Sequence, residues 1–202
     1  MQTDSQQVTT TLLLEQLKDG ENQQAWRQFD ERFRPVVFAA ARRIGLNEAD
    51  SADIAQETIF QSLRDYRDGK YDRSRGRLSS WIVAIAHHRI VDVLRRKQRA
   101  AVVGGDTRLG ELPAMEEVSH AWTSAMKDDV FRRAWEMVQA ESQISPSNLR
   151  AFELAVLRGV PVAATAEECG TSADQVYVAK NRVSAKLREI VERLTRAFED
   201  GL

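Results

Sequence analysis

Apolar residues recur three and four positions apart along nearly the whole chain, and no stretch alternates with period two. The pattern predicts an all-α fold. Residues 1–9 are polar, rich in Gln and Thr, and are expected to fray. A short helix is predicted over Thr11–Lys18, stopped by Asp19-Gly20. Trp26, Phe29, Phe33, Val37, Ala40 and Ile44 mark one face of a second helix ending at Gly45, and Pro35 inside it predicts a kink or a restart. A third helix runs from Glu48 to Tyr66 with Ala52, Ala55, Ile59, Leu63 and Tyr66 as its apolar stripe. The loop Arg67–Arg77, rich in Asp, Gly, Arg and Ser, leads to a fourth helix over Leu78–Arg99, whose inward stripe is Leu78, Ile82, Ala86, Ile90 and Val93. Helices of this kind bury a core together and not alone. Residues 10–99 are therefore predicted to form one small four-helix domain.

Residues 100–122 hold Gly104-Gly105, Gly110 and Pro113, few large apolar side chains and an acidic excess, which predicts a flexible linker. Periodicity returns with Trp122, Met126, Val130, Ala134, Met137 and Val138. Ser145-Pro146 opens a further helix with Phe152, Ala155 and Val156 as apolar positions. A short helix over Val162–Cys169 ends at Gly170, and Thr171-Ser172 begins the next. Residues 123–196 make a second small helical domain.

Composition narrows the function. No run approaches the roughly 18–20 apolar residues that cross a membrane, and Met1–Gln7 lacks the basic and apolar regions of a signal peptide. Membrane insertion and export are not expected. The single cysteine, Cys169, can form no internal disulfide; it fits a reducing cytoplasm and reads as a small core residue. The formal net charge of −1 hides a strong asymmetry. Ten bases face three acids between Arg67 and Arg99, a local net of +7, whereas 104–129 carries a net of −4. A polyanion partner bound locally is what this distribution predicts. A helical enzyme has little to stand on: there is no metal-ligand cluster, phosphate-cradling Gly loop or nucleophile–base pattern, and no cofactor is expected.

Three helix faces carry candidate chemistry. Helix, Gly-containing turn and capped helix over Val160–Arg188 is the helix-turn-helix pattern, with Ser172 and Gln175 at capping-box spacing. Val176, Val183, Leu187, Ile190 and Leu194 share its core face, while Tyr177, Val178, Asn181, Ala185 and Arg188, with Arg182 beside them, lie opposite. Asn can donate and accept and Arg can donate at base edges, and Tyr and Val can touch thymine methyls. The fourth helix gathers Trp81, His88, Asp92, Arg95 and Arg99 on its far side, fed by the basic loop. An aromatic among cations suits unstacked bases and phosphates. His87 and His88, being adjacent, are expected to point apart and not share a metal. Arg89 falls on the apolar stripe and is expected to snorkel or ion-pair. The third helix places Asp50, Asp53, Glu57, Gln61 and Arg64 on one open face, either a solvated surface or a docking surface for a basic helix.

These residues resemble a known family. Asp50-Ser51-Ala52-Asp53-Ile54-Ala55-Gln56-Glu57-Thr58-Ile59-Phe60 is similar to region two of extracytoplasmic-function (ECF) sigma factors of the sigma-70 family. So is Tyr71 through Trp81 and on to Asp92-Val93-Leu94-Arg95-Arg96, and Gly159–Arg188 resembles region four. The resemblance implies an alternative sigma factor that binds core RNA polymerase and promoter DNA, with an anti-sigma protein among its conceivable partners. Region two would dock on the β′ clamp helices through Asp50, Asp53, Gln56, Glu57, Phe60 and Arg64. Arg73, Arg75, Arg77, Ser80, Trp81, His88, Asp92, Arg95, Arg96 and Arg99 would hold the melted minus-ten strand, one base being captured by the loop Tyr71–Ser80. Region four, on the β flap, would read the minus-thirty-five duplex through Ser172, Tyr177, Val178, Asn181, Arg182 and Arg188. The acidic linker would thread the polymerase channel, its carboxylates standing in for RNA phosphates. Two departures stand out: Tyr177 and Val178 replace the usual basic and small polar residues, and His87-His88 replaces a frequent Arg-Asn pair. The competing class is a stand-alone helix-turn-helix regulator, which leaves the acidic face and basic loop unexplained.

Overall fold

The computed structural model describes residues 10–103, 111–141 and 143–199. Those residues form eight α-helices and no strand: α1 (Thr10–Leu17), α2 (Gln23–Arg43), α3 (Glu48–Arg67), α4 (Leu78–Val103), α5 (Met115–Ala140), α6 (Pro146–Phe152), α7 (Val162–Glu168) and α8 (Ala173–Glu199). A 3-10 turn, Arg73–Arg75, precedes α4, and a π-helical turn, Glu153–Leu157, follows α6. The chain divides into two compact units, Met1–Asp129 with Arg196–Leu202, and Val130–Thr195. The expectation for residues 1–9 lies outside the described residues, as does the middle of the stretch predicted as linker, 104–110.

In the first unit α3 packs between α2 and α4. The side chains of Asn22 and Asn47 cap α2 and α3, accepting from the backbone N–H groups of Ala25 and Asp50 at 3.0 and 2.8 Å. Helix α2 runs unbroken through Pro35, so the restart does not occur. It stops at Gly45, whose φ of +94° is open to glycine at little cost, with Leu46 N–H returning to the Ala41 carbonyl at 3.2 Å. Phe33 is the hub of the core, fully buried against the rings of Phe29, Trp122 and Phe198 at 4.9, 6.4 and 5.6 Å. The stripe predicted for α3 is shifted. Ala52 is exposed, and the buried face is Ser51, Ile54, Ala55, Thr58, Ile59 and Ser62. Ser51 and Ser62 return their hydroxyls to the Asn47 and Thr58 carbonyls at 2.7 and 2.8 Å, which lets polar residues face a core.

Helix also replaces much of the predicted linker. Helix α4 continues to Val103, and α5 opens at Met115 with Val118, Ala121, Trp122, Ala125 and Met126 buried. Glu116 and Glu117, counted as linker acidity, stand in the first turn of α5, where negative charge favours the helix dipole.

The second unit is built on α6, α7 and α8 with the C-terminal half of α5. Ser145 caps α6 and Pro146 occupies its first turn. Val156, expected among the apolar positions, is exposed within the π-helical turn, and Met137 is exposed on α5. Ala151, Ala166, Val176 and Ala179 form a small-residue core where α7 and α8 meet, with Cys169 packed at its edge.

Candidate nucleic-acid interface

The basic loop folds into a cleft at the start of α4. Asp72 caps the 3-10 turn, accepting from the Ser74 hydroxyl at 2.7 Å and its backbone N–H at 2.9 Å. Those bonds hold its carboxyl below the usual aspartate range, the hydroxyl contributing most. Gly76 sits at φ +152°, a conformation that side chains avoid. Its carbonyl accepts from the Tyr71 hydroxyl at 3.2 Å, and this closes the loop. The Tyr71 ring lies 5.1 Å from Trp81 and 6.2 Å from Tyr66, tilted against both. Burial raises the Tyr71 phenol, so it stays protonated as a donor. Tyr66 is anchored by donating to the Leu14 carbonyl at 2.8 Å. The result is a cavity of about 360 Å3 lined by Tyr71, Arg75, Arg77, Ser80 and Trp81. Lys70 also lines it, held by Asp65 at 2.6 Å and Asp68 at 3.3 Å, and this raises its ammonium above the usual range.

The residues expected to meet the minus-ten strand therefore fall in two places. Arg75, Arg77, Ser80 and Trp81 gather at the cleft, with Arg73 exposed on the 3-10 turn. Asp92, Arg95, Arg96 and Arg99 lie further along α4, roughly 20 Å away at 1.5 Å per residue, and line a groove of about 750 Å3 against α3. His88 is exposed between them. From sequence Tyr71 entered only as the first residue of the base-capturing loop and Lys70 only as one cation of the basic band, although an aromatic and a cation inside that loop were visible signals.

The α3 face is less open than its spacing implied. Glu57 pairs with Arg89 at 3.1 Å, Arg89 also donates to Gln61 at 3.3 Å, and Asp50 pairs with Lys97. Arg89 is thus ion-paired, as its place on the stripe suggested. Asp53, Gln56, Phe60 and Arg64 are exposed, and Phe60 stacks on Trp26 at 5.5 Å. The two histidines do not point apart. Their rings lie edge to face at 5.7 Å, while His87 donates through Nε2–H to the Pro113 carbonyl at 3.2 Å. Among the described residues no group of three or more His, Cys, Asp and Glu side chains could hold a metal.

In the second unit Gly170, at φ +60°, ends α7 in a two-bond turn: Gly170 N–H reaches Glu167 and Thr171 N–H reaches Ala166, at 3.1 and 2.9 Å. Ser172 then accepts from the Gln175 N–H at 3.2 Å, but the Gln175 side chain turns to Thr171, so only half of the capping box forms. All five core positions expected on α8 are buried. Tyr177 and Val178 are 54% and 60% exposed, with Lys180 5.8 Å from the Tyr177 ring centroid. Asn181 and Arg188 are exposed beside them. Arg182 is partly committed, donating to the Gln143 carbonyl at 2.7 Å.

No described helix is long and apolar enough to cross a membrane. Residues 29–100 match sigma-70 region 2. The chain is 27% identical over 110 residues to the ECF RNA polymerase sigma factor SigK of Mycolicibacterium vanbaalenii, and the match covers 54% of each protein, so the chain spans about half the length of that relative. It is also 27% identical to proteins of the same name from Mycobacterium sp. strains KMS and JLS, over 155 residues and 76% of each chain. The region-2 match thus runs across the cleft and the acidic face, and the relatives to which the chain is similar are ECF sigma factors.

Proposed function

We propose that this protein is an alternative sigma factor: it binds core RNA polymerase in the cytoplasm, directs it to a particular set of promoters, and has no catalytic site of its own. The observation that carries the reading is the Tyr71–Trp81 cleft, an aromatic slot rimmed by Arg75 and Arg77 within a region-2 fold. Unstacking a base costs a few kcal/mol per step. Stacking one base on an aromatic returns about 1–3 kcal/mol. Capture alone thus roughly breaks even, and contacts of phosphates with the α4 cations tilt the balance toward the open strand.

Polymerase is met by α3. Asp53, Gln56, Glu57, Phe60 and Arg64 offer exposed carboxylates around an exposed aromatic, which suits the basic and apolar surface of the β′ clamp helices. The α7–α8 pair reads the upstream duplex element in the major groove, with Tyr177, Val178 and Asn181 toward base edges and Arg188 toward the backbone, while the second unit rests on the β flap. Domain roles follow: residues 10–99 dock and melt, and 123–196 read the upstream element. Run-off transcription with purified core polymerase and a promoter library tests the proposal. Selective transcription of a shared motif is expected, and a chain that binds duplex DNA yet leaves polymerase unprogrammed would return it to the stand-alone regulators.

A further inference from the structure

Arg77 and Ser80 line the Tyr71–Trp81 cleft, and they also line a second groove of about 430 Å3 beside the first turns of α4. Its other walls include Val83 and Ala84 of α4 and Met115, Ser119, Trp122 and Thr123 of α5, all within the first unit. Trp122 is buried and stacked on Phe33, so that wall is fixed, while Met115 stands exposed at the rim. The docking face and the recognition helix use none of these residues. The lining mixes two chemistries. Met115, Val83 and Trp122 offer polarisable and flat apolar surface for a ring face. Ser79 and Ser119 offer hydroxyls that both donate and accept, and the Thr123 hydroxyl, which donates to the Ser119 carbonyl at 2.9 Å, offers an acceptor. No carboxylate is among the lining residues. Such a site suits a planar, hydrogen-bonding heterocycle attached to an anionic backbone.

Continuity selects the occupant. Two neighbouring bases of a strand flank one phosphate, and a guanidinium shared by two adjacent cavities stands where that phosphate would pass. We propose that the α4–α5 groove is a second base site, which takes the unstacked base adjacent to the one held against Trp81, with Arg77 on the intervening phosphate. The inference rests on the reading of the Tyr71–Trp81 cleft as a base site. It makes α5 a wall of the channel for the opened strand, and it makes two neighbouring bases, not one, subject to selection.

The test uses the full chain with core polymerase, on promoter fragments premelted across the minus-ten element and carrying an abasic residue at one non-template position at a time. With the wild-type chain, binding should weaken roughly 5- to 150-fold at two adjacent positions. Trp81→Ala should abolish the sensitivity at one of them, and Ser119→Trp, which fills the groove, should abolish it at the other only. Should circular dichroism show Ser119→Trp misfolded, Thr123→Val replaces it. That variant should lose base preference at the second position and keep its helix content. Sensitivity confined to the Trp81 position, or an abasic profile that the groove variants leave unchanged, overturns the second site and spares the first. Sensitivity at no position overturns the reading of the cleft itself. If Ser119→Trp weakens polymerase binding without DNA, the groove is a protein contact and the proposal fails.

Discussion

Trp81 is half-buried, lies against Tyr71 and lines the cleft. On the proposed reading it is both a packing residue and a stacking surface, and a single assay does not separate the two. Trp81→Ala with Arg95→Ala should impair transcription from duplex promoters more than from templates premelted across the minus-ten element; equal losses on both would argue against a role in holding the open strand. Asp72 gives a pH test of the same loop. Its folded carboxyl titrates below its unfolded value, so the turn's stabilisation is complete above the ordinary aspartate range and is lost as pH falls through the depressed folded value. Cleft closure, followed by Trp81 fluorescence, should loosen only in that acidic window, and Asp72→Ala should loosen it at all pH values. On α8 the structure divides two residues that sequence treated alike. Asn181→Ala should shift preference at one or two upstream positions, by about 1–3 kcal/mol if the contact is bidentate. Arg182 holds the Gln143 carbonyl, so Arg182→Ala should also lower the melting temperature. Library selection and calorimetry on both variants check this, and an Asn181→Ala chain with unaltered preference would move base reading to another surface.

At the scale of the element, α3 and α4 are joined by pairs no sequence reading could place. Glu57 and Asp50 meet Arg89 and Lys97, 32 and 47 residues away along the chain, and only the packing of the two helices brings them together. This separates two charge reversals that look equivalent on a helical wheel. Asp53→Lys puts a cation on an exposed face and should weaken polymerase binding with stability unchanged. Glu57→Lys should weaken binding too, and in addition repel Arg89, so its melting temperature should fall; exposed pairs of this kind are worth about 0–1 kcal/mol, so the fall should be small. Pull-down on core polymerase beside thermal melts decides, and undiminished binding in both variants would make the face a solvated surface. The helices themselves were legible because their apolar residues repeat at 3.6-residue spacing. The buried face of α3 was not, since Ser51, Thr58 and Ser62 count as polar in any pattern although two of them bond back to their own helix. The start of α5 was hidden for the opposite reason, its acidic first turn resembling a linker. The cleft was half legible: Trp81 and the arginines stood out, whereas the closure through Tyr71 and Gly76 is a feature of folding that spacing does not carry.

For the molecule as a whole, charge decides how it should meet DNA. The net charge is −1, yet Arg67–Arg99 carries +7. Of that basic band, Arg89 and Lys97 are already paired with α3 carboxylates, and Lys70 with Asp65 and Asp68. Non-specific affinity grows with the number of phosphates neutralised and falls steeply with salt. A chain whose cations are concentrated in one loop and the helix that follows it, and partly spent on its own acids, should hold duplex DNA weakly. On the proposed function, binding to core polymerase would place the cleft and the recognition helix on DNA that the enzyme also grips, so affinity would then come from several linked contacts. The expected outcome is stable association with core polymerase, weak and strongly salt-dependent association of the free chain with duplex promoters, and tighter binding of the joint complex. Titration by fluorescence anisotropy at several salt concentrations, with and without core polymerase, measures all three. A free chain that grips a single duplex site as a dimer at nanomolar concentration, indifferent to polymerase, would contradict the charge argument and favour a stand-alone regulator.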